Sequence, residues 1–173
     1  MYRVDKHNYY LDIAETVLKR ATCLRRNYGA VIVNNDEIIS TGYNGAPRGR
    51  DNCIDLGYCA REKLQIKQGQ NYELCRSVHA EQNAIISAAR KDIIGGTLYM
   101  VGKNVKEDKV LDHIDSCIMC KRVVINSGIK KVIVRDLSAK EGYKIIDVDD
   151  WIKFDEVLEN NVKPIVEQDK NVD

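Results

Sequence analysis

Long hydrophobic runs are absent from this sequence, and so is an excess of charge of either sign. No apolar stretch approaches the roughly 18 residues that a membrane-spanning helix needs, and residues 1–10 lack the apolar core of a secretory signal. Lysine and arginine together number 27, against 26 aspartate and glutamate residues. Because this balance gives no single-sign field to hold a polyanion, no nucleic-acid partner is expected. We expect a cytoplasmic protein with no membrane partner.

Proline is also scarce, with only Pro47 and Pro164 in a chain of 173 residues. The sequence contains no low-complexity tract, no long Ser/Gly linker and no internal repeat. A chain of this length suffices for one globular domain that buries roughly two thirds of its unfolded surface. We therefore expect residues 1–173 to form a single domain.

Hydrophobic periodicity predicts helices and strands in alternation. Apolar residues at spacings of three and four predict helices over 7–23, 79–90 and 117–126. Runs rich in Val, Ile and Thr predict strands over 30–34, 37–43, 97–101 and 131–135, the first two joined as an antiparallel hairpin. Strands that alternate with helices are typical of an α/β sandwich with some parallel pairing. The tail after Trp151 is less regular and is expected to be peripheral.

Cysteine is the informative residue, because six cysteines in a reducing compartment are metal ligands, nucleophiles or core residues rather than disulfides. Three of them lie in residues 44–75, an irregular stretch long enough to need a function or an additional link. With Cys23 they make a set of four, which matches a closed tetrahedral zinc site that would tie this stretch to the first helix. The alternative is four reduced, buried small residues. The four are Cys23, Cys53, Cys59 and Cys75.

Two short motifs open successive predicted helices: His79-Ala80-Glu81 and Cys117-Ile118-Met119-Cys120. One imidazole and two thiolates are three ligands for Zn²⁺, and catalytic zinc sites use three protein ligands with the fourth position left for water. Cysteines three residues apart in a first turn point the same way, where the helix dipole favours thiolate. Glu81, two residues from His79, is placed as a general acid and base rather than as a fourth ligand. A C-x-x-C motif alone would equally indicate a redox or structural zinc pair.

These motifs resemble the cytidine and deoxycytidylate deaminase superfamily, whose pattern is H-A-E followed by P-C-x-x-C on successive helices. Residues 29–33 (GAVIV) and 42–47 (GYNGAP) resemble its deoxycytidylate branch. The resemblance implies a three-layer α/β/α sandwich with a mixed sheet of about five strands. It also implies zinc-dependent hydrolytic deamination of a pyrimidine nucleotide, with dCMP converted to dUMP and ammonia. The alternatives are a deaminase of guanine or a pterin-like precursor, and a zinc-stabilised nucleotide-binding regulator without turnover.

The resemblance also implies binding residues and partners. Asn44 would contact a sugar hydroxyl, although Asn-Gly at 44–45 can also serve only as a turn with positive φ. Arg25 and Arg26 would bind phosphate or remain solvated charges. Homo-oligomers and deoxynucleoside triphosphate effectors are implied, and some members of the branch carry a second zinc with ligands matching Cys23 and Cys53. The remaining implied substrate residue is Ala80, and the effector region is Gly42, Tyr43, Gly45 and Arg48.

One position departs from the family pattern, because Ser116 stands where a proline normally precedes the first cysteine of the pair. Proline would make this turn rigid. Serine can instead act as the N-cap of the following helix by accepting a backbone N–H bond. We expect a site that is altered at this turn but still functional.

Overall fold

The computed structural model describes residues 3–67 and 69–155, and within them six strands form one mixed sheet. The prediction for the tail after Trp151 falls mostly outside these residues. The strands are β1 (Arg26–Asn34), β2 (Glu37–Tyr43), β3 (Thr97–Asn104), β4 (Lys109–Val110), β5 (Lys131–Arg135) and β6 (Tyr143–Asp147). The helices are α1 (Lys6–Leu18), α2 (Cys53–Leu56), α3 (Ala60–Lys63), α4 (Ala80–Ile86), α5 (Arg90–Ile93), α6 (Ile118–Ser127) and α7 (Val148–Lys153), with a 3₁₀ turn at Tyr72–Leu74.

The sheet has the strand order β2-β1-β3-β5-β6, with β4 attached to β3. The pair β3 and β5 is parallel, because α6 carries the chain back across the sheet between them, and the other pairs are antiparallel. The predicted hairpin of β1 and β2 is confirmed. The weak strands β4 and β6 were not predicted, since β4 has two residues and β6 has exposed positions without clean alternation.

Alternate residues of β1 face opposite sides of the sheet and enter two separate cores. Ala30 and Ile32 belong to the core that α4, α6 and α7 cover. Val31 and Val33 belong to the core that α1 covers. This alternation buries β1 on both faces of the sheet, and it confirms the predicted α/β/α sandwich.

Helix α1 begins at the N-cap Asp5, whose carboxylate accepts the backbone N–H groups of His7 and Asn8. It ends at Leu18, five residues earlier than predicted. The chain turns away because the N–H of Thr22 donates to the carbonyl of Asn44 at 3.1 Å. The apolar residues of the predicted last turn therefore do not continue the helix.

Helix α4 lies unusually close to β2. A Cβ atom on Gly42 would stand 2.3 Å from the backbone of both Ala80 and Ala84, so only glycine permits this approach. The hydroxyl of Ser40 donates to the carbonyl of Ala84 at 2.7 Å and fixes the same contact. Helix α4 ends at Ile86, four residues earlier than predicted, and α5 begins only at Arg90, where the predicted helix ends. Over the described residues no helix has both the length and the apolar character needed to cross a membrane.

Candidate metal centre and pocket

Three candidate ligands meet where the first turns of α4 and α6 face each other. His79 is the N-cap of α4, and its backbone N–H donates to the side chain of Gln82 at 3.0 Å. Cys117 is the N-cap of α6, and Cys120 follows in its first turn. The structure therefore brings the two sequence motifs together.

The separations of these ligand atoms suit a zinc ion. His79 Nδ1 lies 3.5 Å from Cys117 Sγ and 3.3 Å from Cys120 Sγ. Two ligands at ordinary Zn–N and Zn–S bond lengths and a tetrahedral angle stand about 3.5 Å apart. Within the described part of the chain this is the single group of three or more His, Cys, Asp or Glu ligand atoms that lie within 4.8 Å of one another.

Hydrogen bonds among the three ligand side chains shift their pKa values. A hydrogen bond from Cys120, together with one from His79, lowers the pKa of Cys117 to about 4 although burial opposes it. The same contact with Cys117 and burial raise the pKa of Cys120. Burial lowers the pKa of His79, but hydrogen bonds with Cys117 and Cys75 and the charge of Glu81 raise it to about 10. A metal ion would displace these shared protons, since it needs thiolate and neutral imidazole.

Glu81 lies beside the ligand cluster in α4 and is only 5% exposed. Burial raises the pKa of its carboxyl group, against lowering contributions from His79 and from the hydroxyl of Ser116. That hydroxyl donates to Glu81 Oε1 at 3.0 Å. The predicted capping role of Ser116 is therefore wrong: Cys117 occupies the N-cap, and Ser116, one residue earlier, turns its side chain to Glu81.

The pocket in front of this cluster is lined by three arginines, Arg25, Arg26 and Arg61. The first two were predicted from the sequence, and Arg61 was not. Arg61 is 5% exposed and donates to the carbonyls of Asn71 at 2.6 Å and Lys67 at 2.9 Å. A buried arginine in an irregular stretch has no sequence signal, because its partners are backbone carbonyls brought close by the fold. Arg25 pairs with Glu62 at 3.4 Å.

Two tyrosines on the pocket wall were also missed. Tyr28 comes from β1, and Tyr72 stacks under the guanidinium of Arg61, 4.9 Å from ring centroid to Cζ. The Tyr72 ring also meets the His79 ring edge-on at 5.5 Å between centroids. Tyr72 thus connects the 44–75 segment to a candidate ligand.

Asn44 lines the pocket at 5% exposure, but its amide is already engaged with β1. Its Oδ1 accepts the N–H of Tyr28 at 2.7 Å, and its Nδ2 donates to the carbonyl of Arg26 at 2.9 Å. Neither Asn44 nor Gly45, both described, has a positive φ, so the turn alternative is wrong. The amide carries a second N–H, so these two bonds leave one donor for the predicted sugar contact.

Three of the other four cysteines line the same pocket, and the four do not form a compact cluster. Cys23, Cys59 and Cys75 line it, and Cys53 is buried behind them. Burial raises the pKa of Cys53, and the charges of Cys23, Cys59 and Cys75 raise it further. Among residues 3–67 and 69–155, no three of these four sulfurs lie within 4.8 Å of one another. The four-cysteine zinc site stays a prediction.

A family profile for the cytidine and deoxycytidylate deaminase zinc-binding region matches residues 4–136. This range includes the three ligands and Glu81 and covers more than half of the chain. The chain belongs to the cytidine and deoxycytidylate deaminase family. The family predicted from the sequence is confirmed, and the ligand cluster together with this zinc-binding profile confirms zinc as its metal.

Two relatives of this deaminase-family chain bear the name deoxycytidylate deaminase. The Schizosaccharomyces pombe protein is 32% identical over 134 residues, which are 76% of this chain and 37% of that protein. The Mycobacterium phage D29 protein is 34% identical over 138 residues, which are 77% of this chain and 96% of that protein. The chain thus spans little more than a third of the yeast relative and nearly all of the phage relative.

Two solved structures share the fold of this family member. The cyanophage S-TIM5 dCMP deaminase in complex with dCMP and dUMP has a TM-score of 0.54 and 24% identity, covering 79% of this chain and 85% of that chain. The cytidine deaminase from Burkholderia pseudomallei has a TM-score of 0.53 and 17% identity, covering 84% of this chain and 95% of that chain. At these identities the likeness concerns the fold.

The region expected to bind effectors divides into packed and exposed residues in this deaminase-family fold. Gly42 serves the close approach of α4, and a Cβ on Gly45 would stand 2.8 Å from the hydroxyl of Thr22. The side chains of Tyr43 and Arg48 are exposed, and neither lines the pocket. Ala80, expected to contact substrate, does line it.

Proposed function

We propose that this protein deaminates dCMP to dUMP and ammonia, with Zn²⁺ held by His79, Cys117 and Cys120. The observation that carries the proposal is a buried carboxylate, Glu81, beside a three-ligand cluster at the end of a pocket lined by arginines. Three ligands leave one position of a tetrahedral zinc open, as catalytic sites require. The names of the relatives support dCMP as the substrate.

The residues of the chain supply proton transfer and orientation. Zn²⁺, when bound, lowers the pKa of water so that a nucleophile is available near neutral pH. Glu81 accepts one proton of the water that attacks C4 of cytosine and delivers it to N3. It then accepts the proton of the new C4 hydroxyl and delivers it to the amino group, and the C4–N bond breaks to release ammonia. Burial suits Glu81 to this exchange, because it raises the pKa of the carboxyl group towards the working pH.

Recognition of the nucleotide is assigned to the other side chains of the pocket. Arg25 and Arg26 bind the phosphate, and Arg61 adds a third positive charge to the pocket wall. The second amide N–H of Asn44 donates to a sugar hydroxyl, and Ala80 forms part of the surface against the base. Three arginines on one pocket favour a phosphorylated substrate over free guanine or an uncharged nucleoside.

Partners beyond the substrate form a separate part of the proposal. Exposed side chains at Tyr43 and Arg48 leave this region accessible to a deoxynucleoside triphosphate effector. We infer a homo-oligomer in the cytoplasm, and a second, structural zinc on Cys23, Cys53, Cys59 and Cys75. Size-exclusion chromatography with and without dCTP tests the homo-oligomer and the effector. An effector that acts through assembly changes the elution volume.

The direct test is ammonia release from a panel of cytidine, CMP, dCMP, dCTP and guanine. The proposal expects dCMP to give the highest kcat/KM and Glu81→Gln to abolish release from it. Preferred turnover of guanine would replace the proposed substrate class. Nucleotide binding without turnover of any compound would favour a regulator.

A further inference from the structure

We propose that Ser116 is a positioning residue for Glu81, and that its hydroxyl holds the carboxylate in the orientation from which protons are exchanged. The inference rests on the proposed deamination. The Ser116 hydroxyl donates to Glu81 Oε1 at 3.0 Å, and both residues are at most 5% exposed. A buried carboxylate with two equivalent oxygens can rotate, whereas this bond distinguishes Oε1, which is anchored, from Oε2, which exchanges the proton.

The backbone around Ser116 is built to aim this hydroxyl. The N–H of Ser116 donates to Asp115 Oδ1 at 2.8 Å. The other carboxylate oxygen of Asp115 pairs with Lys121 at 2.9 Å, and the Lys121 ammonium lies 5.2 Å from the centroid of the Trp151 ring. Asp115 and Lys121 thus fix the backbone that leads into α6, and the Ser116 hydroxyl reaches Glu81 from it.

A proline at position 116 could make neither bond, since it has no N–H and no hydroxyl. The family pattern fixes this turn by a ring, whereas this chain fixes it by two hydrogen bonds, one of which reaches Glu81. The serine therefore gives the turn a link to α4 that the proline pattern lacks. This hydroxyl joins the start of α6 to the first turn of α4 without the help of a metal ion.

A purely structural role is the competing explanation, because Ser116 directly precedes the ligand Cys117. In that case Ser116→Ala would loosen the ligand turn and lower zinc content. In the positioning role Ser116→Ala keeps zinc and the KM for dCMP, and it lowers kcat about tenfold, since the bond acts on the proton-exchanging group. Ser116→Thr, which retains a hydroxyl, keeps kcat near the wild-type value, and Ser116→Pro behaves like Ser116→Ala.

Ser127→Ala is the matched control. Ser127, the last residue of α6, is likewise a buried serine, but its hydroxyl donates to the carbonyl of Val124 at 2.7 Å and not to Glu81. Kinetics and zinc content are measured on the zinc-loaded full chain for each variant. A kcat for Ser116→Ala equal to that of Ser127→Ala would overturn the inference, and so would loss of zinc in Ser116→Ala.

A stability cycle tests the same contact without using activity. Ser116→Ala, Glu81→Ala and the double variant are unfolded by urea in the zinc-loaded form. Coupling through the hydrogen bond makes the loss in the double variant smaller than the sum of the single losses. Additive losses would overturn the positioning role even if no substrate were turned over. An inactive wild type with clear coupling would instead contradict the proposed deamination alone.

Discussion

The first turns of α4 and α6 and the 44–75 segment border the same pocket, but they are held in different ways. The turns are anchored to helices whose apolar residues, such as Ala84 and Val124, are fully buried against the sheet. Both regions expose large apolar side chains, Leu64 at 60% in the segment and Ile86 at 75% in α4, but no described residue of the segment belongs to either hydrophobic core. The segment is held by polar bonds such as those from Arg61 to backbone carbonyls.

The two regions suit different tasks: the first turns of α4 and α6 suit proton transfer, and the 44–75 segment suits substrate recognition. Ligands and a proton-exchanging group need fixed geometry, which rigid helix N-termini provide. In the proposed function, Asn44 and Arg61 of this segment belong to the recognition wall of the pocket, together with Arg25 and Arg26 outside it. Loops of this kind change their composition without loss of the core. Variants in the turns should therefore affect turnover, and variants in the segment should affect binding and local stability.

Glu81→Gln is expected to have the largest effect. The amide cannot accept and redeliver the proton of water, so kcat should fall about 10²- to 10⁴-fold. Zinc content and the melting temperature should stay near the wild-type values, since Glu81 is not a ligand. Steady-state kinetics with elemental analysis check both. A variant that loses zinc would place Glu81 in the ligand set, and full activity would remove it from the mechanism.

Arg61→Ala tests the segment side of the comparison. Loss of the buried guanidinium removes two charge-assisted hydrogen bonds and the contact with Tyr72, so we expect a loss of unfolding free energy of about 2 kcal/mol or more. The KM for dCMP should rise about tenfold while kcat changes less. Urea unfolding and kinetics measure these effects, with Arg61→Lys as the control that keeps the charge. A fall in kcat with an unchanged KM would contradict the expectation that the 44–75 segment acts in binding and not in turnover.

Asn44→Ala tests the start of the 44–75 segment, where its first side chain is bonded to β1. Two hydrogen bonds to the backbone of β1 are lost, which should reduce the unfolding free energy by about 1–3 kcal/mol. If the second amide N–H binds the sugar, kcat/KM for dCMP also falls by about fivefold or more. A loss of stability with unchanged kcat/KM would leave Asn44 a structural role only.

Cys53→Ser should have the smallest effect on turnover. Wild-type protein purified without added metal is expected to contain about two zinc ions per chain, and the variant about one, since a closed site needs four ligands. Elemental analysis decides the outcome. About one zinc in both proteins would leave the four cysteines as reduced side chains.

The sequence predicts the sandwich and the ligand set well, because both depend on short-range patterns. Runs rich in Val, Ile and Thr identify the buried strands, and the motifs at 79–81 and 117–120 each lie at the start of one helix. The pocket wall is predicted poorly. Arg61 and Tyr72 reach the pocket through contacts that depend on the path of an irregular segment, and the partner of Ser116 is 35 residues away in sequence.

Removal and return of the metal test whether this protein deaminates dCMP by means of zinc. Ammonia release from dCMP is measured on the purified protein, after treatment with a chelator, and after readdition of Zn²⁺. We expect ammonia release to be lost on chelation and restored by about one equivalent of zinc at the catalytic cluster of His79, Cys117 and Cys120. Release that persists in fully zinc-free protein, or no release from the zinc-loaded protein, would rule out zinc-dependent deamination of dCMP.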